Sequence, residues 1–355
     1  MNNSSIYLPP EYTFHKGTIA MVPFRNDIWR EEARYAQDLI WEIVNIVSQH
    51  EKVFLCSNKP FIEFRMPVFN SNVELIEIPY DDIWARDISP FFIKKSNTLH
   101  GINFGFNAWG GIEEGSYYPW NNDETFSKNF CKYLGICSTN IKLILEGGAI
   151  ANNGKGVIVA TESVLLNSNR NPCVTKKDFE NVLQKYLGIK KIIWLKKGFC
   201  FDETNGHVDV FLNFIDEHNL FLAWTEDKSH PQYIILNEIY DKLKSEYALD
   251  GLPFIIHKLP MPNPLIITEV EAKGICKNKF ALERTKGLAL YPTYNNAYIF
   301  NGGVLVPTFN SPEDSYAISL YKKMFKNRKI YPIYSKEFLI GGGNLHCILH
   351  EVPEV

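Results

Sequence analysis

The sequence predicts an α/β fold built from repeated units. Short apolar segments typical of β-strands alternate with amphipathic segments typical of helices along the whole chain, and no linker or low-complexity tract separates them. Gly-Gly pairs recur at three presumed strand starts, in the runs 146–150, 301–305 and 342–345. Such a recurrence indicates a pseudo-symmetric repeat architecture. We therefore treat residues 1–355 as a single domain.

The composition is that of a soluble globular protein. The 355 residues are 45% hydrophobic and 22% charged, with a formal net charge of -3, so neither nucleic acid nor an anionic membrane is expected as a partner. The seven cysteines include no C-x-x-C pair, which indicates neither a disulfide framework nor a zinc ribbon. The N-terminus lacks the pattern of a signal peptide, and the apolar runs are too short to span a bilayer. We expect a cytoplasmic protein.

The first part of the chain contains the clearest helical pattern. Residues 27–49 predict a helix that Asp27 caps, because apolar residues recur at helical spacing behind it. Short strands are predicted to follow at 52–56 and 73–78.

The rest of the chain continues the alternation. Helices are predicted over 123–135, with Asp123 as its cap, and over 175–188, where Thr175 opens a near capping box. A strand is predicted at 191–195. The remaining helices are predicted near 230–247 and over 312–325.

The run 341–347, Gly-Gly-Gly-Asn-Leu-His-Cys, is the first stretch that carries a reactive side chain. Consecutive glycines allow the backbone to approach a ligand closely. Cysteine is the side chain that is intrinsically most nucleophilic near neutral pH. Because 339–340 and 348–349 are apolar, the sequence predicts that Cys347 lies at a bend in a core strand. An ordinary buried cysteine is the alternative.

The run 202–209 is the densest polar cluster of the chain. If 207–214 forms a strand, His207 and Asp209 project from the same face. A histidine beside a carboxylate suits proton transfer next to a bound cation. A solvated turn that enters a strand is the alternative.

The run 81–90 places three aspartates around Trp84 and Arg86. A carboxylate can hold a guanidinium or amidine through two hydrogen bonds, and a tryptophan face attracts a delocalised cation. The alternative is a surface ion pair of Arg86 beside a core tryptophan.

Further polar or aromatic candidates lie outside these runs. The glycine-rich loop 106–111, which contains Trp109, is long and aromatic enough to cover a pocket or to pack as a surface loop. Glu146 follows an apolar strand and needs a partner if it is buried; an exposed strand-end acid is the alternative. Asn296 has no role that its chemistry alone assigns.

The candidates together are one cysteine, one histidine and several acids, without a phosphate-binding loop or a basic patch. This combination suits covalent catalysis by a thiolate on a cationic carbon centre. A metal site from His207, Asp209, His346 and Cys347 is an alternative, although their spacing is not typical of one.

Six motifs of the chain resemble, in order, those of the agmatine deiminases, which share a family with bacterial peptidylarginine deiminase in the guanidine-modifying superfamily. The runs 8–12 and 21–29 match as well, so the resemblance covers essentially the whole chain. The six motifs are 84–87, 106–111, 145–148, 167–172, 202–209 and 341–347.

The resemblance implies a five-bladed α/β propeller of pseudo-repeated ββαβ units around a central pocket. It implies hydrolysis of agmatine to N-carbamoylputrescine and ammonia, a reaction of putrescine and polyamine biosynthesis, without metal or organic cofactor. The partner would be a small cationic guanidine. Dimers are common in this family, and the sequence leaves a homodimer open.

The resemblance also assigns roles to individual residues. Cys347 would attack the guanidinium carbon and pass through a tetrahedral adduct to a thiouronium intermediate. His207 would protonate the departing ammonia and then activate water, while Asp87 and Asp209 would grip the guanidinium nitrogens. The other pocket residues would be Trp84, Trp109, Glu146, Glu203 and Asn296.

Three departures from the family pattern concern the substrate. Val210 replaces a usually polar residue, the run 293–297 keeps only a tyrosine and one asparagine of the family motif, and 283–292 aligns poorly. They leave open a deiminase for another guanidine, such as arginine or peptidylarginine, and a catalytically silent relative. An arginine substrate would favour a cationic or amide group at the far end of the pocket, and the sequence alone identifies none.

Overall fold

The computed structural model describes residues 6–354, and they form five ββαβ units in succession. In each unit two strands pair antiparallel, a helix follows, and a third strand pairs parallel with the second. The α/β fold of repeated ββαβ units is thereby confirmed.

Short strands and helices follow one another along the described chain. The strands are β1 (Ile6–Tyr7), β2 (His15–Met21), β3 (Lys52–Ser57), β4 (Val73–Glu77), β5 (Phe91–Lys95), β6 (Thr98–Gly105), β7 (Ser138–Ile144), β8 (Ile150–Asn152), β9 (Val157–Thr161), β10 (Lys191–Leu195), β11 (Leu212–Phe214), β12 (Asn219–Trp224), β13 (Ile255–Pro260), β14 (Leu265–Ile266), β15 (Ala289–Leu290), β16 (Tyr298–Phe300), β17 (Gly303–Thr308), β18 (Lys329–Tyr334) and β19 (Leu349–Pro353). The helices are α1 (Arg34–Val47), α2 (Ala85–Ile88), α3 (Gly111–Glu114), α4 (Asn121–Tyr133), α5 (Glu162–Leu165), α6 (Lys176–Leu187), α7 (Tyr233–Lys244), α8 (Glu269–Lys273), α9 (Asp314–Met324) and α10 (Lys336–Gly341). Short 3₁₀ turns occupy Phe61–Glu63, Gly147–Ala149 and Val208–Val210.

The two ends of the chain meet in one sheet. Strand β19 pairs antiparallel with β2, where Leu349 lies opposite Ala20, and β2 continues the sheet in parallel with β3 and β3 with β4. The last unit of the chain therefore closes onto the first, as a propeller requires. This closure brings the segment that precedes β19 to the middle of the fold.

The helices pack on the sheets through apolar stripes. In α1, Ala36, Ile40, Ile43 and Val44 are fully buried and belong to the core that contains β2 and β3. Their spacing of three or four residues places them on one helical face, so the sheet covers it.

The helix signals at 175–188 predict α6 correctly. The Thr175 hydroxyl accepts a hydrogen bond from the backbone N–H of Asp178, and the Asp178 carboxylate accepts one from the backbone N–H of Thr175. Gly188 ends the helix with a φ of 72°, a conformation that glycine adopts without steric cost. The strand at 191–195 is confirmed as β10.

The first helix begins later than its apolar pattern suggests. It starts at Arg34, because Glu31, Glu32 and Ala33 all have left-handed backbone conformations, with φ of 52°, 55° and 67°. Asp27 does not cap a helix and instead pairs with the guanidinium of Arg25 at 2.8 Å. Apolar spacing carries no information about such a left-handed turn.

The second helix, α4, starts at Asn121 rather than at the predicted cap Asp123. Asp123 is buried in the first turn, where it accepts hydrogen bonds from the backbone N–H of Asp81 at 2.7 Å and from the hydroxyl of Tyr117 at 2.5 Å. Hydrogen bonds to residues outside the helix therefore replace the local capping role that was predicted for Asp123.

No helix of residues 6–354 is long and apolar enough to cross a membrane.

Candidate active site

A cavity of about 380 Å³ brings together candidates from separate parts of the chain. Glu146 lies behind the cavity wall, beside His207. The other predicted residues line the cavity: Trp84, Asp87, Trp109, Glu203, His207, Asp209, Asn296 and Cys347.

Cys347 lies in the irregular segment before β19, so the prediction of a bend in a core strand is wrong. The apolar pair 339–340 belongs to α10, since a short apolar run fits a buried helix as well as a strand. The Cys347 Sγ atom lies 3.4 Å from Asn296 Oδ1 and 3.7 Å from Asp209 Oδ2. Burial and the carboxylates of Asp209 and Asp87 raise the pKa of the thiol well above its usual value. The protein groups alone therefore favour the neutral thiol.

The glycines before Cys347 let the segment pack against two other side chains that line the cavity. A Cβ atom on Gly343 would lie 2.3 Å from the Trp84 ring, and one on Gly342 would lie 2.8 Å from Glu203 Oε2. Gly342 also has a φ of 113°, which strains other residues. The close approach that these glycines allow is made to protein side chains, and the approach to a ligand stays a prediction.

His207 and Asp209 do not share a strand face. His207 precedes the 3₁₀ turn Val208–Val210, and only Leu212–Phe214 of the predicted strand is formed. Both side chains nevertheless face the cavity, and a Cβ on Gly148 would lie 2.7 Å from His207 Nδ1 and 2.9 Å from Asp209 Oδ2. The missing side chain of Gly148 thus makes room for both.

The His207 ring lies between two carboxylates. Nδ1 is 3.8 Å from Asp87 Oδ2, and Nε2 is 3.9 Å from Glu146 Oε2. Burial opposes the charged ring, but Asp87, Glu146 and Asp209 outweigh it and raise the pKa of His207 to about 9. The ring is therefore an imidazolium at neutral pH.

Glu146 is fully buried, which contradicts the alternative of an exposed strand-end acid. Its Oε1 accepts a hydrogen bond of 2.6 Å from Arg170 Nε. Burial opposes ionisation, yet Arg170 and His207 lower the pKa of Glu146 to about 2. Glu146 is thus a fixed negative charge behind His207.

Asp87 lies in α2, and its carboxylate accepts two hydrogen bonds. Oδ1 accepts from the backbone N–H of Gly148 and Oδ2 from the indole N–H of Trp109, both at 2.9 Å. The loop 106–111 therefore reaches the cavity wall through Trp109. Burial raises the pKa of Asp87 to about 6, although the neighbouring His207 counteracts it.

Arg86 does not form the surface ion pair of the alternative, whereas Trp84 does belong to the hydrophobic core, as that alternative expected. Arg86 is buried and pairs with Glu11 at 2.7 Å and Glu351 at 2.8 Å. The Trp84 indole donates to Asp82 at 2.7 Å while its ring lines the cavity. The run 81–90 thus supplies Trp84 as part of the cavity wall and Arg86 as a buried cation.

Several polar atoms at the site are buried without a hydrogen-bond partner among residues 6–354. They are Asp209 Oδ1, His207 Nε2, Glu146 Oε2 and Asn344 Nδ2. An unpaired buried polar atom costs free energy. His207 Nε2 and Glu146 Oε2 face each other at 3.9 Å, whereas Asp209 lines the cavity, where a ligand that donates a hydrogen bond to Oδ1 would satisfy it.

The departures from the family pattern contribute directly to the cavity. Val210 lines it and accepts a hydrogen bond from the Thr293 hydroxyl through its carbonyl. Arg284, in the poorly aligned segment, also lines it and pairs with both carboxylate oxygens of Glu203. A cationic side chain therefore does lie in the pocket wall, where the sequence alone located none.

Sequence reasoning missed three residues near the site: Arg284, Glu11 and His346, the last considered only as a metal ligand. Glu11 and His346 lie within motifs that carried the resemblance, but nothing in their local pattern shows that they touch each other. Within the described part of the chain, no group of three or more histidine, cysteine or acidic residues is arranged to hold a metal ion.

Comparisons with known proteins identify the family of this chain. The sequence matches the Porphyromonas-type peptidyl-arginine deiminase family over residues 7–353. A relative from Latilactobacillus sakei subsp. sakei is 38% identical over 349 residues, which cover 98% of this chain and 95% of the relative. The agmatine deiminase of Ectopseudomonas mendocina is 34% identical over 350 residues, again 98% and 95% of the two chains.

Solved structures show the same fold. The agmatine deiminase of Enterococcus faecalis superimposes with a TM-score of 0.93 at 28% identity, covering 99% of this chain and 97% of that chain. A C315S agmatine deiminase of C. jejuni with substrate bound gives a TM-score of 0.84 at 27% identity, covering 98% and 96%. The chain belongs to the Porphyromonas-type peptidyl-arginine deiminase family, together with the agmatine deiminases.

Proposed function

We propose that this protein is an agmatine deiminase, a hydrolase that converts agmatine to N-carbamoylputrescine and ammonia. The observation that carries the proposal is the position of a buried thiol beside two buried carboxylates. Cys347 Sγ lies 3.7 Å from Asp209 Oδ2, and Asp87 lines the same cavity. The two carboxylates can bind a cation and hold its central carbon next to the sulfur of Cys347.

The carboxylates bind the guanidinium in this proposal. Asp209 Oδ1 has no hydrogen-bond partner among residues 6–354, so it is available to accept a guanidinium N–H. Asp87 supplies the second negative charge. A guanidinium is a resonance-stabilised and poor electrophile, so positioning and electrostatics must provide the rate enhancement.

Binding and activation of the nucleophile are coupled. Burial, Asp209 and Asp87 hold the pKa of the Cys347 thiol well above its usual value. A bound guanidinium offsets the two carboxylates, and a nearby cation favours a thiolate. Cys347 therefore ionises mainly when substrate is present.

His207 acts first as the general acid and then as the general base. The thiolate forms a C–S bond with the guanidinium carbon, and the imidazolium of His207, with a pKa of about 9, protonates the departing nitrogen as the C–N bond breaks. Ammonia leaves and a thiouronium remains on Cys347. The neutral His207 then takes one proton from water, whose oxygen attacks the same carbon. The C–S bond breaks, the remaining hydroxyl proton passes to the leaving sulfur of Cys347, and N-carbamoylputrescine is released with His207 protonated again.

The other cavity residues shape the pocket. The rings of Trp84 and Trp109 meet edge to face at 5.9 Å, and Trp109 holds Asp87 in place. Asn296 Oδ1 lies 3.4 Å from Cys347 Sγ and accepts from the thiol. Glu146 keeps His207 protonated by its negative charge.

The position of Arg284 in the pocket wall favours a second candidate substrate, arginine. Its charge could attract a carboxylate, which agmatine lacks. However, both of its terminal nitrogens are engaged by Glu203, and Nη2 also lies 3.2 Å from the carbonyl of Gly341. A neutralised pair gives little net attraction for a carboxylate, so we favour agmatine.

We also propose that the protein is cytoplasmic. A homodimer is an expectation that rests on the resemblance to the family. All seven cysteines are free, and four of them are exposed, which suits a reducing compartment. Analytical ultracentrifugation measures the oligomeric state directly.

The experiment is ammonia release by purified protein, without added metal, from agmatine, arginine and a peptide with C-terminal arginine. We expect release from agmatine in large excess over the other two. Preferential release from an arginine compound would contradict the substrate but keep the chemistry. No release from any of them would contradict the deiminase itself.

A further inference from the structure

Behind the cavity, charged side chains form an unbroken chain of short contacts. Asp209 Oδ2 lies 2.7 Å from His346 Nδ1, and His346 Nε2 lies 2.8 Å from Glu11 Oε2. The same Glu11 oxygen is 2.7 Å from Arg86 Nη2, and Arg86 Nη1 is 2.8 Å from Glu351 Oε2. The chain of contacts joins the cavity to the N-terminal segment and to β19.

We infer that His346 is a positioning residue for the deiminase reaction. Its imidazolium clamps one oxygen of Asp209 so that the other faces the substrate, and Glu11 holds the imidazolium from the opposite side. The inference rests on the proposed function, because it requires Asp209 to bind the guanidinium.

The geometry itself determines the charge of the ring. A neutral imidazole has one N–H donor and one acceptor nitrogen, whereas an ionised carboxylate only accepts. His346 meets a carboxylate oxygen at both nitrogens, within 2.8 Å, so both contacts are hydrogen bonds only when the ring carries two protons. Burial and Arg86 oppose this charge, but Glu11 and Asp209 outweigh them and raise the pKa of His346 to about 9.

The clamp makes the two oxygens of Asp209 unequal. Oδ2 is occupied by His346, whereas Oδ1 is buried without a partner among residues 6–354. The backbone N–H of His346 also donates at 2.9 Å to Asn296 Oδ1, the oxygen that lies 3.4 Å from Cys347 Sγ. His346 therefore holds the Asp209 carboxylate through its side chain and the Asn296 side chain, beside the thiol, through its backbone N–H.

Several charged groups face Asp209. His207 is on its own turn, Arg86 and Asp87 come from α2, and His346 and Cys347 come from the segment before β19. Within the described residues, His346 is the cation that hydrogen-bonds directly to the Asp209 carboxylate.

His346 in turn is faced by Asp209, by Glu11 of the N-terminal segment, by Arg86 of α2 and by His350 of β19. Burial opposes the ionisation of Asp209, and His346 is the neighbour that most lowers its pKa, so loss of the imidazolium removes the contact that most favours ionised Asp209.

The first test compares His346→Gln with the matched control His350→Gln. His350 is also buried close to these contacts, but its Nε2 contacts the carbonyl of Pro90 at 3.1 Å and it makes no hydrogen bond with Asp209 in the described structure. In His346→Gln, removal of the adjacent cation should raise the pKa of Asp209 and release its clamped oxygen, so agmatine binding should weaken while kcat changes little. We expect KM to carry most of a roughly ten-fold loss of kcat/KM at pH 7. The control should keep the wild-type KM.

A merely structural role of His346 would lower the thermal stability of His346→Gln without raising KM selectively over kcat. An unchanged KM in folded His346→Gln therefore overturns the inference. If this variant does not fold, Glu11→Gln is the second variant, because it removes the negative charge on the outer side of the ring and keeps the contact with Asp209.

The ring charge can be measured without turnover. Histidine NMR of the substrate-free wild-type protein at pH 7 should show His346 doubly protonated, and Glu11→Gln should lower its midpoint of titration. A neutral His346 ring in the wild-type protein overturns the inference. Absence of ammonia release from agmatine by the wild-type protein would instead contradict the proposed function, even where NMR finds the imidazolium, so the two failures are distinguishable.

Discussion

The indole N–H of Trp109 donates a hydrogen bond of 2.9 Å to Oδ2 of Asp87. This contact fastens the loop 106–111 to a carboxylate that we assign to guanidinium binding. Both side chains are almost completely buried, so water does not replace the donor if it is removed. The loop thereby supports the charge that binds substrate as well as covering the cavity.

Replacement of Trp109 by phenylalanine should weaken agmatine binding. The ring volume is largely kept, but Asp87 loses a hydrogen bond, and a hydrogen bond to a charged group contributes about 1.5–3 kcal/mol. We expect KM to rise roughly ten-fold or more, which corresponds to that energy. Trp120→Phe is the control, because Trp120 does not line the cavity. Equal KM values for Trp109→Phe and wild-type protein would remove this contact from the binding site.

The dependence of kcat/KM on pH should be bell-shaped. Asp87, with a pKa of about 6, must be ionised to bind the cation, so activity should rise as the pH increases through that value. His207, with a pKa of about 9, must be protonated to donate to ammonia, so activity should fall above that value. Initial rates at low agmatine concentration across a pH range of about 5 to 10 measure both limbs. Activity that still increases above the upper midpoint would show that a neutral His207 starts the reaction.

Replacement of Arg170 by glutamine should destabilise the protein. Arg170 and Glu146 are both almost fully buried and 2.6 Å apart, and removal of one partner of a buried pair typically costs about 3–5 kcal/mol. The control is Lys177→Gln, whose exposed pair with Glu180 should be worth about 0–1 kcal/mol. Urea unfolding of the two variants measures the difference. Similar losses in both would mean that Glu146 is not a fixed charge in the folded protein.

The sequence predicted the class of fold because alternation of apolar patterns is a local property. The capping box at Thr175 and the glycine at 188 located α6 almost to the residue. The predicted start of α1 was wrong, since three left-handed residues, Glu31 to Ala33, precede the helix and apolar spacing does not predict them. The apolar pair 339–340 was assigned to a strand because two residues do not distinguish the two periods.

The composition of the candidate site was also predicted, mostly through ordered motifs rather than through isolated residues. The sequence did not predict how those motifs meet. Arg284 and Glu203 are 81 residues apart, and Glu11 and His346 are separated by most of the chain, so no local pattern relates either pair. Closure of the propeller, which joins β19 to β2, brings together the segments that carry Glu11 and His346.

The central claim is that Cys347 performs covalent catalysis on agmatine, and ammonia release by folded Cys347→Ala beside wild-type protein tests it most directly. The substitution changes little bulk, so circular dichroism and thermal unfolding should match those of the wild type, and Cys173→Ala at an exposed cysteine serves as the control. We predict ammonia release by the wild type and the control and none above background by Cys347→Ala. Ammonia release that persists in the folded Cys347→Ala variant would contradict the claim.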